Sequence, residues 1–144
     1  MDNANMVKST PEDLKRFEDA VRLNLKDLGL MDWDCIFKLE DLETSNAAVR
    51  YHIPARKATF RLAQSREEFR PVEEHALHEA LELLLAEIAV YLGAYYSDDL
   101  INNEVHRVIN RLMTVIPIKE PEPMFWNGSA YVPKGVKVEV SNVA

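Results

Sequence analysis

An α+β fold is what this 144-residue sequence predicts, and three observations predict it. Apolar residues recur at helical spacing in three segments that open on capping or first-turn signals. Between the first and second of these lie three short stretches alternating at the two-residue period of strands. Beyond the last helical pattern, prolines and an Asn-Gly pair announce an extended tail with a hairpin or strand.

Taken in order, Thr10 before Pro11, with Glu12 and Asp13 following, marks a helix start: proline suits the first helical position and carboxylates suit the positive helix end. Leu14, Phe17, Val21, Leu25 and Leu28 form its apolar stripe, and Gly29 supplies the stop. From Trp33 the period changes, with Cys35, Phe37 and Leu39 alternating against Asp34 and Lys38. Residues 48–53 and 57–62 are the next two strands, parted by Pro54-Ala55-Arg56 and rich in β-branched or aromatic residues. Three successive strands predict a small antiparallel meander. Pro71, Glu73 and Glu74 open the longest helix, expected to run to about Gly93. Ser97, Asp98 and Asp99 open a further helix whose apolar side is traced by Leu100, Ile101, Val105, Val108, Ile109 and Leu112, and Pro117 ends it. The expected organisation is one domain over residues 1–116. Residues 117–144 form a proline-rich connector and strand tail, with a turn at Asn127-Gly128 and a strand through Val136, Val138 and Val140.

Composition narrows the function. A chain of this length buries a sizeable core without metal or disulfide staples. The single cysteine, Cys35, excludes an internal disulfide framework and suits a reducing, cytoplasmic setting. No secretory signal is read at the start, and the apolar stretch from Ala80 to Tyr96 is too short and too charged, with Glu82 and Glu87, for a membrane span. A net charge of −7 with no basic stripe argues against nucleic acid and for a peptide or protein partner. Four glycines and no phosphate-binding loop motif argue against nucleotide chemistry. Cys35 lacks a setting that would activate its thiol, and Ser129 reads as turn chemistry.

The chemistry-bearing segment is His75-Ala76-Leu77-His78-Glu79-Ala80-Leu81-Glu82. Steps of three, four and seven put His75, His78, Glu79 and Glu82 on one helix face, the arrangement a metal site needs. It differs from the H-E-x-x-H signal in carrying Glu82 where the second histidine stands.

His78-Glu79-Ala80-Leu81-Glu82, followed by leucines, together with the later helix around Glu104-Val105-His106, resembles the compact zincin-like metallopeptidases of the kind carried by bacteriophages. The resemblance implies zinc, with manganese or no metal as alternatives, and hydrolysis of a peptide or protein substrate. It further implies His78 as a ligand, Glu79 as general base, Glu82 as substituted ligand, and Glu104 or His106 as the third. On the wheel, Glu104 lies about 80° and His106 about 120° from the apolar centre of the later helix, which favours Glu104. Val105, the most inward position there, cannot coordinate. Three readings of the His-Glu face remain open: a working metal site, a solvated or salt-bridged helix face, and a zincin-like scaffold reused as a noncatalytic inhibitor or accessory protein. His75 reads as a first-turn surface residue.

Overall fold

The computed structural model describes residues 5–118, 124–126 and 131–133. Its elements in order are β1 (Met6–Lys8), α1 (Pro11–Asp27), β2 (Asp34–Glu40), β3 (Ala47–His52), β4 (Lys57–Ala63), β5 (Ser65–Glu67), α2 (Val72–Leu92), α3 (Asp98–Leu112), β6 (Met124–Trp126) and β7 (Tyr131–Pro133). The α+β class is as expected, with α1 and α2 within a residue of their predicted bounds, while α3 stops at Leu112, several residues before the Pro117 expected to end it.

Helix α1 begins in a full capping box: the Thr10 hydroxyl accepts from the Asp13 amide, and the Asp13 carboxylate accepts from the Thr10 amide. Just past its end, Gly29 takes φ +74°, a left-handed conformation that costs a residue with a side chain more than glycine. Helix α3 is capped by the Ser97 hydroxyl, which accepts from Leu100 N–H.

The three-stranded sheet is not the expected antiparallel meander. Its order is β2-β4-β3, with β2 parallel to β4 and β3 antiparallel to it. The loop 41–46 carries the chain past the position that β4 will fill, and the turn at 53–56 then returns it into the gap. The physical reason lies in β4 itself: Ala58, Phe60, Leu62 and Ala63 are all buried, so this strand takes the central place and leaves the more polar β2 and β3 as edges. Two short strands, β1 and β5, pair antiparallel outside this sheet and were not foreseen, because Met-Val-Lys and Ser-Arg-Glu are too short to show a period.

The main core lies between the sheet and the packed pair α1 and α2. Phe17 sits edge-on to Phe37 and Phe60, which stack on one another at 5.3 Å. Val72, Ala76, Ala80 and Leu83 of α2 close it. A bidentate pair ties the two helices, with the Arg16 guanidinium donating to both oxygens of buried Glu73 at 3.0 and 2.9 Å. A smaller core joins Leu77 and Leu81 of α2 to Ile109 of α3. Strands β6 and β7 pair antiparallel with Trp126 opposite Tyr131. The predicted Asn127-Gly128 turn between them and the strand through Val136, Val138 and Val140 lie outside the described residues. No helix among the described residues is long and apolar enough to cross a membrane.

Candidate metal centre

The two cores on α2 leave one flank free. With Val72, Ala76 and Leu83 toward the sheet, and Leu77 and Leu81 toward α3, the residues His75, His78, Glu79 and Glu82 fall together in the remaining arc of about 100°. That flank faces edge strand β3 and one side of α3. It lines a cleft of about 420 Å³ whose walls include Asn46, Val49 and His106.

Three of the predicted ligands converge there. One donor atom each from His78, Glu82 and His106 lies within 4.8 Å of the others. Glu82 Oε1 is 3.0 Å from His106 Nε2 and 3.7 Å from His78 Nε2, and the two rings lie 5.4 Å apart. Ligands held at about 2.0–2.1 Å around a tetrahedral zinc would be separated by about 3.3 Å, so small side-chain adjustments suffice. The orientation of His106 is set from behind. Its Nδ1 lies 2.8 Å from the Asn102 carbonyl, which can only accept, so the Nδ1 proton points away from the cluster. Nε2 then meets the Glu82 carboxylate as a lone pair unless a proton or a metal cation stands between them. The donor set fits such a cation.

Glu104 is not brought to the cluster. It is exposed and pairs with Arg107 at 3.4 Å. The helical wheel measured distance from the apolar centre of α3 but not which side of α3 faces α2, and that side carries Asn102 and His106. Val105 packs in the smaller core, as an inward apolar residue should. The outcome is two imidazoles and one carboxylate in place of one imidazole and two carboxylates. His106 supplies from α3 the imidazole that Glu82 removes from the motif on α2. A donor set with one carboxylate fewer would suit a softer cation than the sequence implied.

Glu79 stands beside the triad at 5% exposure. Burial, then the neighbouring Glu82 charge, pushes its carboxyl well above the usual range, while a Val49 backbone hydrogen bond partly opposes this. Glu82 is also raised by burial, but hydrogen bonds with His78 and Glu79 and the charges of both histidines outweigh that and hold it low. Glu79 therefore carries the proton of the pair. Its Oε2 is buried without a partner. His75, expected at the surface, is buried against the cleft, and its Nε2 is likewise buried and unpartnered. Sequence pattern missed this because the first turn of α2 shares its cleft with the loop before β3 and with Arg70, an arrangement that no local spacing encodes.

A second, larger hollow of about 760 Å³ continues from Val49 and Glu82 toward the elbow between α2 and α3, past Tyr51, Ile101, Asp98 and Asp99. Comparison of the chain with protein-family models, curated proteins and solved structures returns no match, and the reading of the site rests on its own donor set and surroundings.

Proposed function

We propose that this chain is a metal-dependent peptide hydrolase of the minimal zincin type. The observation that carries the reading is the convergence of His78, Glu82 and His106 donor atoms from two helices within 4.8 Å. A bound zinc would supply Lewis acidity toward a carbonyl and lower the pKa of water. The protein's own groups supply the rest. Glu79, buried beside the donors, would give up its proton in the field of a bound cation and then take and return the proton of an attacking water. Asn102 keeps His106 in one tautomer. Strand β3 is an edge of the sheet, and an extended peptide adding to it would run along the cleft in front of Glu79. Half-buried Cys35, whose thiol burial pushes up, suits a reducing cytoplasmic setting rather than nucleophilic work.

A second reading, binding to a protein partner without catalysis, is favoured by one observation. The end of α2 and the elbow expose Ile88, Val90, Tyr91, Tyr95 and Tyr96, and a cluster of large exposed apolar side chains marks a surface for a partner.

The test is metal content by mass spectrometry on protein purified without chelator, alongside four variants. One equivalent of zinc, or of manganese, should be lost in His78→Ala and His106→Ala and kept in Glu104→Ala. Glu79→Gln should keep the metal and lose hydrolysis of a peptide library. Folded protein that cannot be loaded with metal would sink the hydrolase reading and leave the binding one.

A further inference from the structure

The cleft in front of Glu79 is polarised along its length. At one end, beside the loop 41–46 and the start of α2, its walls are Thr44, Ser45, Arg70 and His75. The Thr44 and Ser45 hydroxyls are on exposed residues. The Arg70 guanidinium has ion pairs with Glu67 at 3.5 Å and Glu74 at 3.9 Å, both too long or too oblique for a good hydrogen bond. His75, only 8% exposed, also lines this end, and its Nε2 is buried and unpartnered. Past Val49 and Glu82, which line both, the adjoining larger hollow carries Asp98 and Asp99 with Tyr51 and Ile101, and no lysine or arginine lines it.

A buried polar atom without a partner is costly, so such a group calls for an explanation, and a bound group is one that this cleft can offer. The chemistry offered around His75 is that of hydrogen-bond donors under positive potential. Burial first, then the charges of Arg66, Arg70 and His78 against a smaller opposing one from Glu67, hold the ring neutral down to about 4. A neutral imidazole with Nε2 protonated is a donor, as are the two hydroxyls and the guanidinium.

We infer that the end of the cleft lined by Thr44, Ser45, Arg70 and His75 is a subsite for a carboxylate of the substrate, on one side of the peptide bond presented to Glu79. The inference rests on the hydrolase reading and specifies its substrate class: a peptide with its C-terminal carboxylate, or an acidic side chain, within reach of Arg70. The acidic adjoining hollow sets the opposite preference there, so a peptide is accepted in one direction.

Zinc-loaded full-length protein separates this inference from the reading beneath it. Four probes are titrated by calorimetry: acetohydroxamate, which reaches only the cation; a succinyl hydroxamate coupled to an amino acid with a free carboxylate; the same compound as its terminal amide; and an amide whose side chain is aspartate. A charge-assisted contact predicts that the free acid binds about tenfold or more tightly than the plain amide. That advantage should fall below about twofold in Arg70→Ala and in His75→Gln, with acetohydroxamate affinity unchanged. Arg70 is on the surface, so its variant tests the subsite even if His75→Gln folds poorly. Restoration of the advantage by the aspartate amide assigns the subsite to acidic side chains, and its absence there assigns it to the chain terminus. Equal affinity of acid and amide, with acetohydroxamate still binding, overturns the subsite and leaves the metal reading standing. Failure to load zinc or bind acetohydroxamate overturns both.

Discussion

Acid should loosen this fold through His75, and His75→Gln should remove that part of the sensitivity. Burial, with Arg66 and Arg70 nearby, lowers the ring to about 4 from a reference of 6.5. Between those values the unfolded chain binds a proton that the folded chain refuses. Stability is therefore lost as pH falls below about 6.5, and the loss levels off below about 4. The full interval corresponds to about 3 kcal/mol, of which about 2 kcal/mol falls between pH 7 and pH 5. Because the ring borders an open cleft, solvent screening trims this to about 1–2 kcal/mol. Glu79 works in the opposite sense, since a carboxyl raised in the folded state favours folding as pH drops, but it is common to both proteins. The assay is urea unfolding of the unaltered chain and His75→Gln at pH 7 and pH 5. With a slope of about 1–3 kcal/mol per molar, the midpoint of the unaltered chain should fall about 0.5–1 M further than that of the variant. Parallel shifts in the two proteins would refute the argument and mean that the imidazole is not shielded as described.

Three further outcomes follow from packing and capping. Phe60→Ala removes the ring at the centre of the aromatic trio and should cost about 3–5 kcal/mol by thermal or urea unfolding. Arg16→Ala strands the buried Glu73 carboxylate and should cost about 2–3 kcal/mol, more than its half-exposed position suggests, with Glu73→Gln in the same background recovering part of the loss. Thr10→Ala breaks the capping box of α1 and should cost about 1 kcal/mol, whereas Ser97→Ala at α3 should cost less, its hydrogen bond being 3.3 Å long.

The helices were legible because their signals are local. Thr10-Pro11-Glu12-Asp13 contains the whole capping box, and Ser97 with Asp98 and Asp99 contains most of another. Sheet order was not legible, since alternation marks a strand without naming its neighbour; only the greater burial of β4, visible once the chain is folded, makes it central. The site divides the same way. Spacing on α2 grouped His78, Glu79 and Glu82 correctly because one helix face is fixed by its own pitch. The choice between Glu104 and His106 depended on how α3 rolls against α2, which Leu77, Leu81 and Ile109 determine together. His75 was misread for a related reason: it shares its cleft with a loop thirty residues upstream.

Helix α3 buries only Ile101 and Ile109 fully, against ten buried residues on α2. It is thus held by a small share of the apolar area that fixes the rest, and local opening of α3 can occur without loss of the main core. The proposed donor set bridges this joint, with two donors on α2 and one on α3. A cation that binds only the closed arrangement would stabilise α3 docking by its full binding free energy. Amide exchange in α3 would then respond to metal far more than exchange in α1 or β4, and the occupancy of the site would decide whether the elbow behaves as a hinge or as a fixed corner.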